Sequence, residues 1–253
     1  MRVTLEGMVI DLGSIVISDA NTRTADAQDD RCIGIDNLSI TSELYSSDYE
    51  NTGGLTDWTT ANAGRYTPII AEDASGNHYM TVNQDQRYNN GTTLTNNSIS
   101  GSALAGENFT LEFDMKIGRS TQNGSNDQPD ANFTVYDAAN TALFTLTDKR
   151  NATEWYIDIP RISQETIALS GTGSNQALDA LTWYHYKLSY TGGRLYVTIT
   201  SQDGSTTYWR KGYTITSSGG LSKMTFVTSR YYANFAFDNL KVSAYANTNF
   251  SVS

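Results

Sequence analysis

Apolar and polar residues alternate along much of this chain with the period of two that belongs to β-strands. The pattern is cleanest at Phe109-Thr110-Leu111-Glu112-Phe113-Asp114-Met115-Lys116-Ile117, where every odd position is apolar. A strand patterned this way buries one face and wets the other. Phe133 to Tyr136 and Leu143 to Leu146 read as a hairpin, and Glu154 to Ile159 as a strand ended by Pro160. Trp183 to Tyr190 and Arg194 to Ile199 are joined by Thr191-Gly192-Gly193, a hairpin turn. Tyr208 to Thr216 follows, then a closing pair, Leu221 to Val227 and Phe235 to Val242. Nearer the start, short strands are expected around Tyr45 and Trp58, on either side of Gly53-Gly54. Tyr66 to Ala71 and His78 to Val82 flank a turn at 72–77, while 83–97 and 118–130 read as polar loops. One helical turn at most is expected, at 176–181. Short strands with turns every ten or so residues predict an all-β fold, a sandwich, jelly roll or barrel, with extra N-terminal strands; two packed sheets, a two-sheet antiparallel β-sandwich, would explain alternation on some strands and mixed faces on others.

One strand pattern occurs twice. Leu221-Ser222-Lys223-Met224-Thr225-Phe226 precedes Phe237-Asp238-Asn239-Leu240-Lys241-Val242; Leu12-Gly13-Ser14-Ile15-Val16-Ile17 precedes Ile35-Asp36-Asn37-Leu38-Ser39-Ile40. Internal similarity of this kind bears on domain organisation. The strand-like segments 2–5, 8–17 and 32–41 are too few for a stable domain. Residues 1–43 are therefore expected to be a partial β-segment, the tail of a preceding or interrupted β-domain. They would pack on the rest of the chain or complete a neighbouring molecule. Residues 44–246 are expected to form the sandwich and 247–253 a tail.

Composition narrows the partners. The chain has 253 residues and a formal net charge of −10, with 17% charged residues. No Lys/Arg cluster is present to displace the counterions of a nucleic acid, so nucleic-acid binding is not expected. No apolar run approaches the roughly 20 residues of a membrane span, so no membrane insertion is expected either. Thr, Ser, Asn, Gly and Tyr are abundant, as in secreted or cell-surface β-domains. Arg2-Val3-Thr4-Leu5-Glu6 alternates polar and apolar, unlike an apolar export segment, so an exported protein is expected to be part of a longer, multidomain chain. Cys32 is single and reads as a small buried apolar residue.

Three segments in order resemble the concanavalin A-like (laminin-G/pentraxin-type) jelly roll. They are Asn108-Phe109-Thr110-Leu111-Glu112-Phe113, the Trp183 to Val197 strand-turn-strand, and Phe237-Asp238-Asn239-Leu240-Lys241-Val242. The opening Asp48-Tyr49-Glu50-Asn51-Thr52-Gly53 with Trp58 is similar to the start of jelly-roll carbohydrate-binding modules. The resemblance covers about residues 45–245. It implies a calcium site, with Glu50 and Asp238 as ligands and the 73–77 loop supplying Asp73 and the carbonyl of Gly76 or Asn77. The alternative for Asp238 and Asn239 is that they bond exposed backbone at a strand end. The resemblance also places Trp183 in the core, and Trp58 reads as structural.

Glycosidases of this fold carry paired carboxylates as Glu-x-Asp-x-x-Glu, a spacing absent here. Glu154 and Asp158 share a strand face but stand about 13 Å apart, too far to flank one bond. His78 and His185 lie in strands and read as surface or packed histidines rather than a metal pair. The chain is therefore read as a non-enzyme. Aromatic rings suit the apolar faces of sugars, and Arg suits their hydroxyls or carboxylates. Trp155, Trp209, Tyr88, Tyr231 and Tyr232, with Arg87, Arg150 and Arg230, are the candidate ligand-binding residues. Their signal is collective, since any one of them could equally serve packing. The expected function is a non-catalytic polysaccharide- or oligosaccharide-binding module within a larger secreted glycan-degrading or glycan-capturing protein. The alternative is an extracellular structural or adhesive β-domain that binds a protein partner.

Overall fold

A computed structural model describes residues 2–5, 40–61, 68–82, 92–103, 107–117, 129–149, 154–159, 163–168, 182–215, 220–228, 235–246 and 248–251. The described residues form seventeen strands and one short 3-10 helix, Thr52–Asp57. The strands are β1 (Arg2–Leu5), β2 (Ile40–Ser47), β3 (Trp58–Ala61), β4 (Ile69–Glu72), β5 (His78–Val82) and β6 (Thr92–Asn96). Then come β7 (Phe109–Ile117), β8 (Pro129–Tyr136), β9 (Ala142–Lys149), β10 (Glu154–Ile159), β11 (Ser163–Ala168) and β12 (Tyr184–Thr191). The last are β13 (Arg194–Ser201), β14 (Thr207–Thr214), β15 (Lys223–Thr228), β16 (Phe235–Ala246) and β17 (Thr248–Ser251).

The chain divides into two compact units, residues 1–42 with 245–253 and residues 43–244. In the first, β1 and β17 form an antiparallel pair, with Arg2 opposite Ser251 and Leu5 opposite Thr248. The expected tail is thus a strand. The strand-like segment 8–17 and the first Asp-Asn-Leu copy at 36–38 lie outside the described residues.

The second unit is the expected two-sheet antiparallel sandwich. A seven-stranded sheet runs β11-β10-β9-β8-β15-β6-β3, and an eight-stranded sheet runs β14-β13-β12-β7-β16-β5-β4 with β2 also on β16. Strand alternation decides what each sheet turns inward. Phe109, Leu111, Phe113 and Met115 of β7 are buried, as are Tyr184, Tyr186, Leu188 and Tyr190 of β12. Phe133 and Val135 of β8, Leu146 of β9, and Met224 and Phe226 of β15 cover them from the other sheet. Phe113 is central: it stacks on Tyr186 at 5.2 Å and on Phe237 at 5.1 Å, and meets Phe133 at 5.0 Å between centroids. Each fully buried aromatic of this kind contributes roughly 1.5–3 kcal/mol. At one end Trp58, 5% exposed, donates its indole N–H to the Tyr49 hydroxyl at 2.9 Å, and both rings pack edge-on to Phe237. Between β12 and β13 the two-residue turn uses Gly192 and Gly193 with φ of 53° and 80°, as a twist-matched hairpin turn requires.

The Asp-Asn-Leu motif of β16 is a β-bulge. Asp238 faces Asp114 of β7 and Lys241 faces Glu112, so three steps on β16 match two on β7. The extra residue changes the alternation, so that Phe237, Leu240 and Val242 all point inward. Asn239 takes the strain with a φ of 52°, a conformation asparagine tolerates better than most residues.

Candidate functional site

The outward face of the seven-stranded sheet carries a row of hydroxyls. In register across neighbouring strands lie Thr95, Thr225, Thr134, Thr145 and Asp158. Beside them lie Val227, Asn132, Thr147 and Tyr156. With strands about 4.8 Å apart, the first row spans roughly 19 Å. These positions point outward because their neighbours in sequence, such as Phe133, Val135, Leu146 and Phe226, are claimed by the core. Yet the face is recessed: Thr225 is 6% and Thr134 7% exposed. Thr134 and Thr145 pair their hydroxyls at 3.2 Å. Thr225 Oγ1 and Asn132 Oδ1 lie out of water with no hydrogen-bond partner. A buried polar atom left unpaired costs about 1–3 kcal/mol, so each such atom calls for an explanation. At one end of the face the Lys223 ammonium lies 4.8 Å from the centre of the Tyr136 ring.

The residues expected to hold calcium lie at the bulge edge of the other sheet, and they do not form a cage. Asp238, 1% exposed, accepts from Asn77 Nδ2 at 3.0 Å and from the Asn239 backbone N–H at 2.8 Å. Glu50 Oε2 lies 3.1 Å from His78 Nδ1 instead. Asp73 Oδ1 closes its own turn, accepting from the Ser75 N–H, the Ser75 hydroxyl and the Asn77 N–H. Among the described residues no group of three or more His, Cys, Asp or Glu side chains is placed to hold a metal. Calcium needs six to eight oxygens converging on one point, and here the donors are divided among separate hydrogen bonds. The set does not fit the ion in this arrangement. Burial pushes the Asp238 carboxyl up to about 6, with the charges of Asp114 and Glu50 adding to the effect. The alternative reading of the Asp-Asn pair holds in part. Asp238 does bond backbone, but as a buried bulge residue rather than at an exposed strand end.

Beside the bulge, Asp114 is the hub of a network on the outward face of the eight-stranded sheet. Its carboxylate accepts from His185 Nδ1 at 2.7 Å, Asn239 Nδ2 at 2.9 Å and Gln202 Nε2 at 3.1 Å. Glu112 lies 3.7 Å from His185 Nε2 and 2.8 Å from Lys187 Nζ. The hydrogen bonds to Asp114 and Glu112 raise the His185 pKa to about 9, so its imidazole is cationic at neutral pH. The same contacts hold Glu112 down at about 2. This is a charge lattice that fixes strands and the bulge. A histidine kept protonated in this way is not poised as a general base.

Of the expected ligand-binding residues, Trp155 lies in β10 with its backbone opposite Asp148 and Ile167. Trp209 is half-buried against the core, and its indole nitrogen is shielded without a partner. Tyr88, Arg87, Arg150, Arg230, Tyr231 and Tyr232 lie outside the described residues. Trp58 is structural, as expected. Trp183 is not in the core. It is half-exposed, edge-on to Tyr79 at 5.4 Å, with the Lys116 ammonium 5.0 Å from its ring centre. The reason is its phase: Tyr184 and Tyr186 take the inward positions of β12, which leaves Trp183 out of step. Sequence reasoning missed the hydroxyl row, because its members come from strands far apart in the chain.

No protein-family model and no curated protein matches this sequence. Solved structures do match in shape. The CBM2 module of the evolved Dit of Lactobacillus casei BL23 phage J-1 superposes with a TM-score of 0.53 at 13% identity. That match covers 84% of this chain and 99% of the module. A sialidase superposes with a TM-score of 0.53 at 12% identity over 78% of this chain. The chain takes the concanavalin A-like jelly-roll fold. It spans only 18% of the sialidase. At these identities the likeness shows the fold alone, and the jelly roll does not by itself carry an activity.

Proposed function

We propose that this chain is a non-catalytic carbohydrate-binding module that grips a glycan on the outward face of the seven-stranded sheet. The observation that carries the reading is the recessed row of hydroxyl and amide groups there, with Thr225 Oγ1 and Asn132 Oδ1 lacking partners. A sugar offers donors and acceptors at every carbon, so it is the ligand class that would satisfy such a face. Thr134, Thr145, Thr147 and Asn132 would bond sugar hydroxyls, and Tyr136 and Tyr156 would flank the chain. The module would belong to a larger secreted or cell-surface protein. No helix among the described residues is long and apolar enough to cross a membrane. The protein-partner alternative has less support: the exposed large apolar residues Leu44, Ile69 and Tyr196 sit on three separate strands. A glycan array with polysaccharide affinity electrophoresis tests the proposal. Retention on at least one neutral polysaccharide, weakened about tenfold by Asn132→Ala or Thr145→Val at an unchanged melting midpoint, is the expected result. No retention on any glycan, or full retention by both variants, would overturn it.

A further inference from the structure

The outward face of the eight-stranded sheet holds a second, differently built feature. On β13 the core takes Leu195, Val197 and Ile199, so Arg194, Tyr196 and Thr198 point outward. Tyr196 lies opposite Gly212 of β14. A Cβ at Gly212 would fall 2.8 Å from Tyr196 Cε1 and 2.9 Å from Cδ1. The tyrosine ring therefore lies down over the bare glycine backbone, in space that any side chain would fill. It is also one of the few exposed large apolar groups, 39% accessible. A ring backed by a sheet on one side and partly exposed on the other is a rigid platform, fixed at little entropic cost.

Two guanidinium groups bracket the platform. Arg194, two positions before Tyr196, has its guanidinium carbon 5.7 Å from the ring centre. Arg210 is exposed on β14, opposite Thr198, two positions beyond Tyr196. Along the strands the order is thus Arg194, Tyr196, Arg210, in steps of about 7 Å. The other cations of this face are occupied: Lys187 by Glu112 at 2.8 Å, Lys241 by Glu43 at 3.0 Å, and Lys116 by the Tyr79 and Trp183 rings. Among the described residues, neither Arg194 nor Arg210 has a carboxylate partner. In a chain of net charge −10, two guanidiniums without a carboxylate partner among the described residues, that of Arg194 lying over the ring, are a local reversal of sign.

The geometry points to a second binding site, centred on Tyr196 over Gly212 and flanked by Arg194 and Arg210, for an anionic polysaccharide. The C–H face of a sugar ring would stack on Tyr196. The planar, forked guanidinium matches the two oxygens of a carboxylate or sulfate group, a match a lysine would not give. The spacing leaves room for more than one sugar residue between the two arginines. This site is on the opposite sheet from the hydroxyl row and needs no uncharged ligand there, so each can exist without the other.

Affinity electrophoresis in gels containing polygalacturonate, dextran sulfate or uncharged dextran tests it. The unmodified protein should be retarded by at least one anionic gel, and raised salt should relieve the retardation. Arg194→Gln with Arg210→Gln should weaken that binding about tenfold or more, and Tyr196→Ala by a similar factor. Tyr196→Phe should keep it, because stacking needs the ring and not the hydroxyl. Asn132→Ala on the other sheet should leave it unchanged. Retardation by polygalacturonate assigns carboxylated sugars and retardation by dextran sulfate assigns sulfated ones; either supports the site. Arg194, Arg210 and Tyr196 are exposed, and an unchanged melting midpoint verifies that each variant folds. Absence of retardation in both anionic gels, or full retardation of the double arginine variant, overturns the inference. Neither result bears on the hydroxyl row, which the neutral glycans test.

Discussion

The two sheets are nearly interchangeable on the inside and opposite on the outside. Inward, both present alternating Phe, Tyr, Leu, Val and Met that meet in one aromatic core. Outward, the seven-stranded sheet carries a mainly uncharged row, with Asp158 and Lys223 at its margins, and its Thr and Asn groups are incompletely paired. The eight-stranded sheet is charged, and its carboxylates are committed: Asp114 to His185, Asn239 and Gln202, Glu112 to Lys187 and His185, and Asp238 to Asn77. Charge on this face therefore holds strands and a bulge in place. The groups outside these ion pairs are hydroxyls and amides on one face, and Tyr196 with Arg194 and Arg210 on the other; these are the groups proposed to bind.

The harshest test removes what the faces share. Phe113→Ala empties the centre of the stack with Tyr186, Phe237 and Phe133, and should cost about 3–5 kcal/mol in urea unfolding. Binding on both faces should fail together as the protein unfolds; failure of one alone would mean that the sheets do not depend on a common core. Asp114→Ala touches only the charged face. It strands three donors, and about 2–3 kcal/mol of stability should go with them. A loss near zero would show the lattice to be ornamental.

Acidity should separate the faces further. The raised pKa of His185 means that its contribution is complete below about 6.5 and is lost as pH climbs through about 9. Asp238, whose pKa is raised from 3.8 to about 6, is disfavoured when ionised, so stability should increase as pH falls from 6 towards 4. The melting midpoint should therefore decline from mildly acidic to alkaline pH, and His185→Gln should flatten the alkaline part. A profile identical to that of the unmodified protein would remove His185 as the cause. On the seven-stranded sheet, Thr225→Val replaces an unpaired, shielded hydroxyl with a methyl. Stability should stay level or rise by up to about 1 kcal/mol while glycan retention falls. A loss above about 1 kcal/mol would mean that the hydroxyl has a partner in the folded protein. Smallest of all, a chelator should leave the melting midpoint where it is, because the Asp238 edge is closed by Asn77 and Asn239. A drop of several degrees would restore an ion to that edge.

Much of the sandwich was legible in advance because a period of two is a local signal. The β7 alternation, the Gly192-Gly193 hairpin and the β8–β9 pair were each readable from fewer than twenty consecutive residues. Strand β6 falls in a stretch whose polarity predicts a loop: its only apolar residue is Leu94, set among threonines and asparagine, and its partners β15 and β3 lie far away in sequence. Trp183 was misplaced for a related reason. Being aromatic suggested burial, but which side of the strand it occupies depends on the phase that Tyr184 and Tyr186 impose.

By itself, the sequence determined the all-β class, the inward residues of most strands, that the Glu-x-Asp-x-x-Glu spacing does not occur and the importance of the Asp-Asn-Leu stretch. These follow from side-chain period and chemistry within single segments. Only the tertiary structure decided that Asp-Asn-Leu is a bulge, since an extra residue exists only relative to the strand opposite. It also divided the expected calcium ligands among separate partners, aligned threonines from distant strands into one row, and laid Tyr196 over Gly212. Each of these is a matter of register between strands, and register is set when the whole core closes.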